Sequence, residues 1–159
     1  MVTSFHEIYL RYSQDVYRFA FWLCGDSDDA KDITSETFIR LWTAKEVRIE
    51  TVKGYLLTIA RNLFLQAQRN RKLEVELDEN LADATPRADA VMESRSELHA
   101  VLAALQSLPE VDRTALILRA NENLPHREIA EILSLSVSAV KVKVHRARLK
   151  LASQLAEET

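Results

Sequence analysis

Apolar residues recur at helical spacing along most of this chain. Phe5, Ile8, Tyr9, Tyr12, Val16, Phe19, Ala20 and Leu23 fall three or four positions apart, one stripe on a helix of about 20 residues. Gly25 stands where a helix-ending residue belongs. Asp26 or Ser27 can then cap a second helix, with Asp28, Asp29 and Asp32 in its early turns, where carboxylates suit the helix dipole. Its apolar face reads Ala30, Ile33, Thr37, Phe38, Leu41 and Trp42. After a short break at Lys45 to Glu50, the positions Val52, Tyr55, Leu56, Ile59, Ala60, Leu63 and Ala67 predict a third helix, ending in the basic run Arg69, Asn70, Arg71, Lys72.

From Leu73 to Glu97 the pattern changes. Eight acids stand against two bases, and Thr85-Pro86 sits in the middle, which predicts an acidic linker that turns helical near Asp89. Beyond it Met92, Leu98, Val101, Leu102 and Leu105 form one stripe, broken at Leu108-Pro109, and Val111, Thr114, Ala115 and Leu118 form another. Asn121 to Leu124 reads as a turn, and Pro125 can open the next helix, where its missing N–H does no harm.

The stretch from Pro125 to Leu151 is the most informative. His126 to Leu133 is a short helix burying Ile129, Ala130 and Leu133. Ser134, Leu135 and Ser136 are a three-residue turn, with Ser136 as N-cap for a helix that buries Val137, Val140, Val144, Ala147 and Leu151. This is a helix-turn-helix, whose second helix is shaped to enter a major groove. Its exposed face carries Ser138, Lys141, Val142, His145, Arg148 and Leu149. From Lys141 to Lys150 there are five positive charges and no acid. A helix facing only water usually mixes its signs in i,i+4 pairs, whereas phosphate contacts select bases alone. A basic helix lying on a membrane or partner is the alternative. Serine at 134 occupies a position where such turns often use glycine, so mild backbone strain is expected there.

Composition sharpens this picture. The chain of 159 residues contains 2 glycines and 3 prolines, well below the roughly 7% and 5% of ordinary proteins. Tight turns between strands draw on those residues, so an all-helical chain is expected. The length allows one ordinary domain or two very small ones, each leaning on a partner for want of core. The net charge of −3 argues weakly against nucleic-acid binding, but it averages over an acidic linker and basic helices. Cys24 is the single cysteine and reads as a small core residue. No phosphate-cradling glycine loop, metal-ligand spacing or nucleophile–base arrangement is found, so neither enzyme chemistry nor a cofactor is expected. His6, His99, His126 and His145 are scattered, and the acids from Asp26 to Asp32 read as helix-start carboxylates rather than a metal site. The N-terminus lacks a signal-peptide pattern and no apolar run is long enough to span a membrane, so a cytoplasmic protein is expected.

Several segments, in order and at these separations, resemble the extracytoplasmic-function (ECF) sigma factors of bacterial RNA polymerase. They are Asp28-Asp29-Ala30-Lys31-Asp32-Ile33 followed by Glu36-Thr37-Phe38-Ile39-Arg40-Leu41-Trp42, then Tyr55-Leu56-Leu57-Thr58-Ile59-Ala60-Arg61-Asn62. Further on come Leu105-Gln106-Ser107-Leu108-Pro109, Arg127-Glu128-Ile129-Ala130-Glu131-Ile132-Leu133, and Val140 to Arg148. The resemblance implies two small helical domains, a sigma region 2-like unit over residues 1–72 and a region 4-like helix-turn-helix unit over 93–159, with the acidic linker at 73–92 between them. It implies a transcription initiation factor that binds core RNA polymerase, recognises minus-ten and minus-thirty-five promoter elements and helps melt the DNA. An anti-sigma partner, often membrane-bound, is implied as well.

Carried over by position, the resemblance assigns polymerase docking to Asp32, Glu36, Phe38, Arg40, Leu41 and Trp42. For Phe38, core packing is equally compatible with its place in the stripe, and Trp42 reads rather as core. Minus-ten contacts fall to Lys45, Arg48, Lys53, Tyr55, Arg61, Asn62, Arg69 and Arg71, with Lys72 close by. Tyr55 can stack on a base or fill the core. Minus-thirty-five contacts fall to Ser138, Lys141, Val142 and His145 at base edges and to Lys143, Arg146 and Arg148 at phosphates. Ser35 and Gln66 depart from the family's usual Gln and Asp. A sigma-like decoy for an anti-sigma factor, or a stand-alone helix-turn-helix regulator, would share parts of this sequence. The net charge of the linker suggests one more expectation: that Glu74, Glu76, Asp78 and Glu79 rest against the basic surfaces of the free protein.

Overall fold

The computed structural model describes residues 4–44, 51–77 and 96–157. Every regular element among them is an α-helix: α1 (Phe5–Cys24), α2 (Ser27–Thr43), α3 (Val52–Leu77), α4 (Ser96–Gln106), α5 (Glu110–Ala120), α6 (His126–Leu133) and α7 (Val137–Glu157).

The ends of these helices follow local chemistry. The Ser4 hydroxyl accepts from the Glu7 amide at 3.2 Å, and the Asp26 carboxylate accepts from the Asp29 amide at 2.9 Å, each satisfying an orphan N–H of a first turn. Gly25 ends α1 at φ 76°, a left-handed conformation that glycine adopts without penalty. Ser134 ends α6 at φ 55° and ψ 47°. Its amide donates to the Glu131 carbonyl at 3.4 Å and the Leu135 amide to the Ala130 carbonyl at 2.9 Å, a Schellman closure built on a non-glycine residue. The Ser136 hydroxyl then caps α7 by accepting from the Ala139 amide at 3.1 Å.

Helices α1, α2 and α3 pack as a bundle on Val16, Phe19, Leu23, Ile33, Leu56, Leu57 and Phe64. Helices α4 to α7 pack on Leu108, Leu118, Ile129, Val140, Val144 and Ala147. The two sets belong to one contiguous apolar core, in which α4 and α5 lie on α1 and α6 lies on α3. Each small block thus completes its burial against the other, as blocks of this size require.

Four expectations need correction. Val137, read as a buried residue of α7, is 38% exposed at the start of that helix. Trp42 is not core: it is 70% exposed, and its ring rests edge-on against Phe5 with centroids 4.8 Å apart at the end of the bundle. The buried face of α3 also includes Gly54, Leu57 and Phe64, while Tyr55, Ile59 and Leu63 are only partly buried. The reason is that α3 is covered from two sides, by α1 and α2 and by α6, so more than one stripe is buried. Finally, α3 does not stop at Lys72 but continues through Leu77, so the opening residues of the expected linker are exposed helix. Cys24 is half-buried, and burial pushes its thiol pKa up.

Candidate nucleic-acid and partner surfaces

Helix α7 presents the first surface. Val140, Val144 and Ala147 are buried against α5 and α6, and this sets the rotation of the helix. Ser138, Lys141, Val142, His145 and Arg148 consequently face solvent together. A shallow groove of about 830 Å³ runs along this face between Lys141 and Glu157. Two of the basic residues are held from behind. Asp112 on α5, itself buried, accepts from Arg146 Nε at 2.8 Å and Nη2 at 3.0 Å, and lies 3.7 Å from Lys143 Nζ. The Arg146 hydrogen bonds hold the Asp112 carboxyl below its ordinary range. Arg146 and Lys143 therefore sit at the rim as fixed cations, while Lys141 and Arg148 reach forward. His126, at the start of α6, has its pKa lowered by partial desolvation and by the nearby cations Arg119, Lys141 and Arg148.

The second surface is aromatic. Phe5, His6 and Tyr9 of α1 and Ser35, Phe38, Ile39 and Trp42 of α2 line a groove of about 580 Å³. Phe38 is buried and forms its floor, meeting Tyr9 edge-on at 5.0 Å and Phe5 at 6.4 Å. Trp42, Ile39 and Tyr9 are exposed around it. Asp32, Glu36 and Arg40 lie along the same helix at the surface, with Glu36 and Arg40 paired at 3.4 Å. Of the expected docking residues, Phe38 supports the groove and Trp42 forms its wall, with Leu41 partly buried beside them. Phe5, Tyr9 and Ile39 were not singled out from sequence. The signal was present in Phe5 and Tyr9, whose stripe on α1 is more aromatic than a buried seam needs.

The third surface is the basic face of α3, and here the charges are engaged. Arg61 makes a two-pronged pair with Glu110 of α5, Nε to Oε2 and Nη2 to Oε1 both at 2.9 Å. Burial pushes the Glu110 carboxyl up, but the hydrogen bonds from Arg61 and Thr114 outweigh it and its pKa is lowered. Lys53 Nζ lies 3.3 Å from Glu122 and 3.8 Å from Asp15. Arg18 of α1 joins the same carboxylate, with Nε 3.1 Å from Glu122 Oε2, and the Glu122 hydrogen bond raises the Arg18 pKa. Arg71 pairs with Asp29 on α2. Asn62, Arg69 and Lys72 are exposed and Tyr55 is partly buried. Lys45 and Arg48 lie outside the described residues. The carboxylates on Lys53 and Arg61 thus come from Asp15, Glu110 and Glu122. None belongs to the acidic stretch expected to cover them; of that stretch Glu74 and Glu76 lie exposed on α3, and Asp78 and Glu79 lie outside the described residues.

Arg113 was also missed from sequence. It is buried between the blocks, donating to the carbonyls of Leu105 and Leu23 at 2.9 Å each and of Leu108 at 3.2 Å, with its guanidinium over the Phe64 ring. It satisfies carbonyls at the ends of both α1 and α4.

A solvent-facing helix-turn-helix, a second basic helix and an aromatic groove on one helical chain are the architecture expected of a DNA-binding transcription protein. The comparisons with known proteins narrow this class. Residues 8–74 match the family model for Sigma-70 region 2, and residues 98–151 match that for Sigma-70, region 4. The chain is 32% identical to the ECF RNA polymerase sigma factor SigM of Bacillus subtilis, over 91% of each chain. It is 35% identical to the ECF RNA polymerase sigma factor SigE of Mycolicibacterium smegmatis over 98% of this chain, and it spans 63% of that relative's length. In structure it is similar to the sigma factor RpoE of Bartonella quintana, solved in complex with the anti-sigma factor NepR, with a TM-score of 0.82, 25% identity and 98% of both chains covered. The chain belongs to the ECF sigma factors. Among the described residues no helix is long and apolar enough to cross a membrane.

Proposed function

We propose that this protein is a cytoplasmic transcription initiation factor that binds core RNA polymerase, directs it to a subset of promoters and helps open them. The observation that carries this reading is the presence, on one small chain, of an outward-facing basic recognition helix and a separate aromatic groove. A regulator that binds duplex DNA alone needs the first and has no use for the second. The groove on α1 and α2 suits a partner helix: an apolar floor at Phe38, an exposed aromatic anchor at Trp42 and flanking charges at Asp32, Glu36 and Arg40. It is assigned to core polymerase. Ser138, Lys141, Val142 and His145 read minus-thirty-five base edges, with Lys143, Arg146 and Arg148 at phosphates. Lys53, Tyr55, Arg61, Asn62, Arg69 and Arg71 form the minus-ten surface of α3, together with Lys45 and Arg48. An anti-sigma factor is the expected regulatory partner, and the similar RpoE is seen with one.

The test is transcription by purified core polymerase on genomic fragments, with and without the protein. Defined start sites only in its presence are expected. Their absence, with the protein folded, would favour a decoy that merely occupies an anti-sigma factor.

A further inference from the structure

Asp112 stands in the first turn of α5 with 2% of its surface exposed. A carboxylate so buried is tolerated only when it is paired. Both cations on it come from α7, and both are residues assigned to DNA phosphates. Arg146 donates from Nε to Oδ2 at 2.8 Å and from Nη2 to Oδ1 at 3.0 Å, and Lys143 Nζ lies 3.7 Å from Oδ1. A first-turn carboxylate also suits the dipole of α5, but that effect needs no partner on another helix.

The pair uses one edge of the Arg146 guanidinium. Of its N–H groups, Asp112 takes one on Nε and one on Nη2. The edge between Nη1 and Nη2 keeps a second fork, of the shape that meets a phosphate with two hydrogen bonds. The Arg146 side chain is 57% exposed and that of Asp112 is 3% exposed, so the acid grips from the protein side and leaves arginine surface to solvent. An arginine that is not held gives up rotamer freedom when it binds; one held in a single geometry has already given it up.

We infer that Asp112 is a positioning residue for DNA binding: without touching DNA, it orients Arg146, with Lys143 beside it, toward the phosphate backbone. This role rests on the assignment of Arg146 and Lys143 to phosphates. By charge alone, an acid beside a DNA-binding helix weakens binding, and removing it strengthens binding. By position, removing it weakens binding. The two effects differ in sign.

The full-length protein is titrated by anisotropy against a labelled duplex of mixed sequence over a salt series, beside Asp112→Asn, Arg146→Lys, Arg146→Ala and the double variant Asp112→Asn/Arg146→Lys. Asp112→Asn should bind about fivefold more weakly at low salt although it has lost a negative charge, and its salt slope should fall by about 1. Arg146→Lys keeps the charge and loses the fork, so it should lose a similar amount. The double variant should be no weaker than either single one, because the pair acts as a unit. Tighter binding by folded Asp112→Asn, or additive losses in the double variant, would overturn the role. Arg146→Lys alters an exposed side chain, and its binding as tightly as the unaltered protein would overturn the role even if Asp112→Asn fails to fold. Arg146→Ala locates the failure: unchanged binding there rejects the assignment of Arg146 to DNA, whereas weakened binding there with none in Asp112→Asn rejects only positioning by Asp112. The probe needs neither polymerase nor promoter, so the result stands whether or not defined transcripts appear.

Discussion

Helices α7 and α3 carry similar complements of lysine and arginine, and both are assigned to DNA, yet they stand in opposite states. On α7, Lys141 and Arg148 face solvent, and the acid that touches the helix, Asp112, approaches from the buried side and props two cations at the rim. On α3, Arg61 and Lys53 are met head-on by Glu110 and Glu122 from another part of the chain. A count of lysines and arginines, five on each, makes the two helices equivalent. What separates them is whether the paired carboxylate lies behind the cation or in the place a ligand would take. One surface is displayed and the other is covered.

The most damaging change should be to a residue that supports both surfaces. Ile129 is fully buried in α6, which packs against α7 on one side and α3 on the other. Ile129→Ala should cost about 2–5 kcal/mol. It should lower the melting temperature by circular dichroism and weaken every DNA-dependent activity together; a selective effect on one surface would contradict this placement. Next, Trp42→Ala removes the exposed anchor of the aromatic groove. A loss of about 2 kcal/mol, roughly thirtyfold, in polymerase affinity is expected, with the melting temperature nearly unchanged because the ring packs mainly on Phe5. Polymerase affinity can be read by competition or by direct titration.

Smaller again is Lys141→Ala, which touches only the displayed surface. It should weaken promoter use by about 1 kcal/mol while leaving polymerase binding intact, and it should reduce the salt slope of DNA binding if Lys141 meets a phosphate rather than a base. Equal loss of both would show the helix misassigned. The mildest effect is on pH. The folded Asp112 carboxyl lies below its ordinary value of 3.8 because of Arg146. Its stabilisation is therefore fully present above that value and is lost as pH falls through the folded one. The melting temperature should drop on acidification below about pH 4, and Asp112→Asn should flatten that part of the profile. A profile that keeps its shape in the variant would assign the drop to other carboxylates.

Much of the fold was legible because its determinants are local. The stripe on α1, the caps at Asp26 and Ser136, the glycine at 25 and the left-handed residue at Ser134 each act within a few positions, and a pattern read along the chain captures them. The solvent-facing side of α7 was legible for the same reason: burying Val140, Val144 and Ala147 leaves no choice about where Lys141 and His145 point. Trp42 was misjudged because periodicity places a residue on a face but does not say where the opposing helix ends. The pairing of Arg61 and Arg18 with distant carboxylates was out of reach altogether. Arg61 and Glu110 are 49 positions apart, and Arg18 and Glu122 are 104 apart; nothing local marks either acid as a partner for those bases. Linker acids were the natural candidates by charge density, yet the covering carboxylates are single residues on α5 and in the turn that follows it.

The most direct measurement is permanganate mapping of unpaired thymines at a promoter, with holoenzyme carrying either the unaltered protein or Arg61→Ala. If α3 is the surface that opens DNA and α7 the one that anchors it, the unaltered holoenzyme should give reactive thymines across the minus-ten element. Arg61→Ala should reduce that reactivity several-fold while leaving protection of the minus-thirty-five element in place. Full reactivity with Arg61→Ala, or equal loss of melting and of upstream protection, would contradict the division of labour between the two helices.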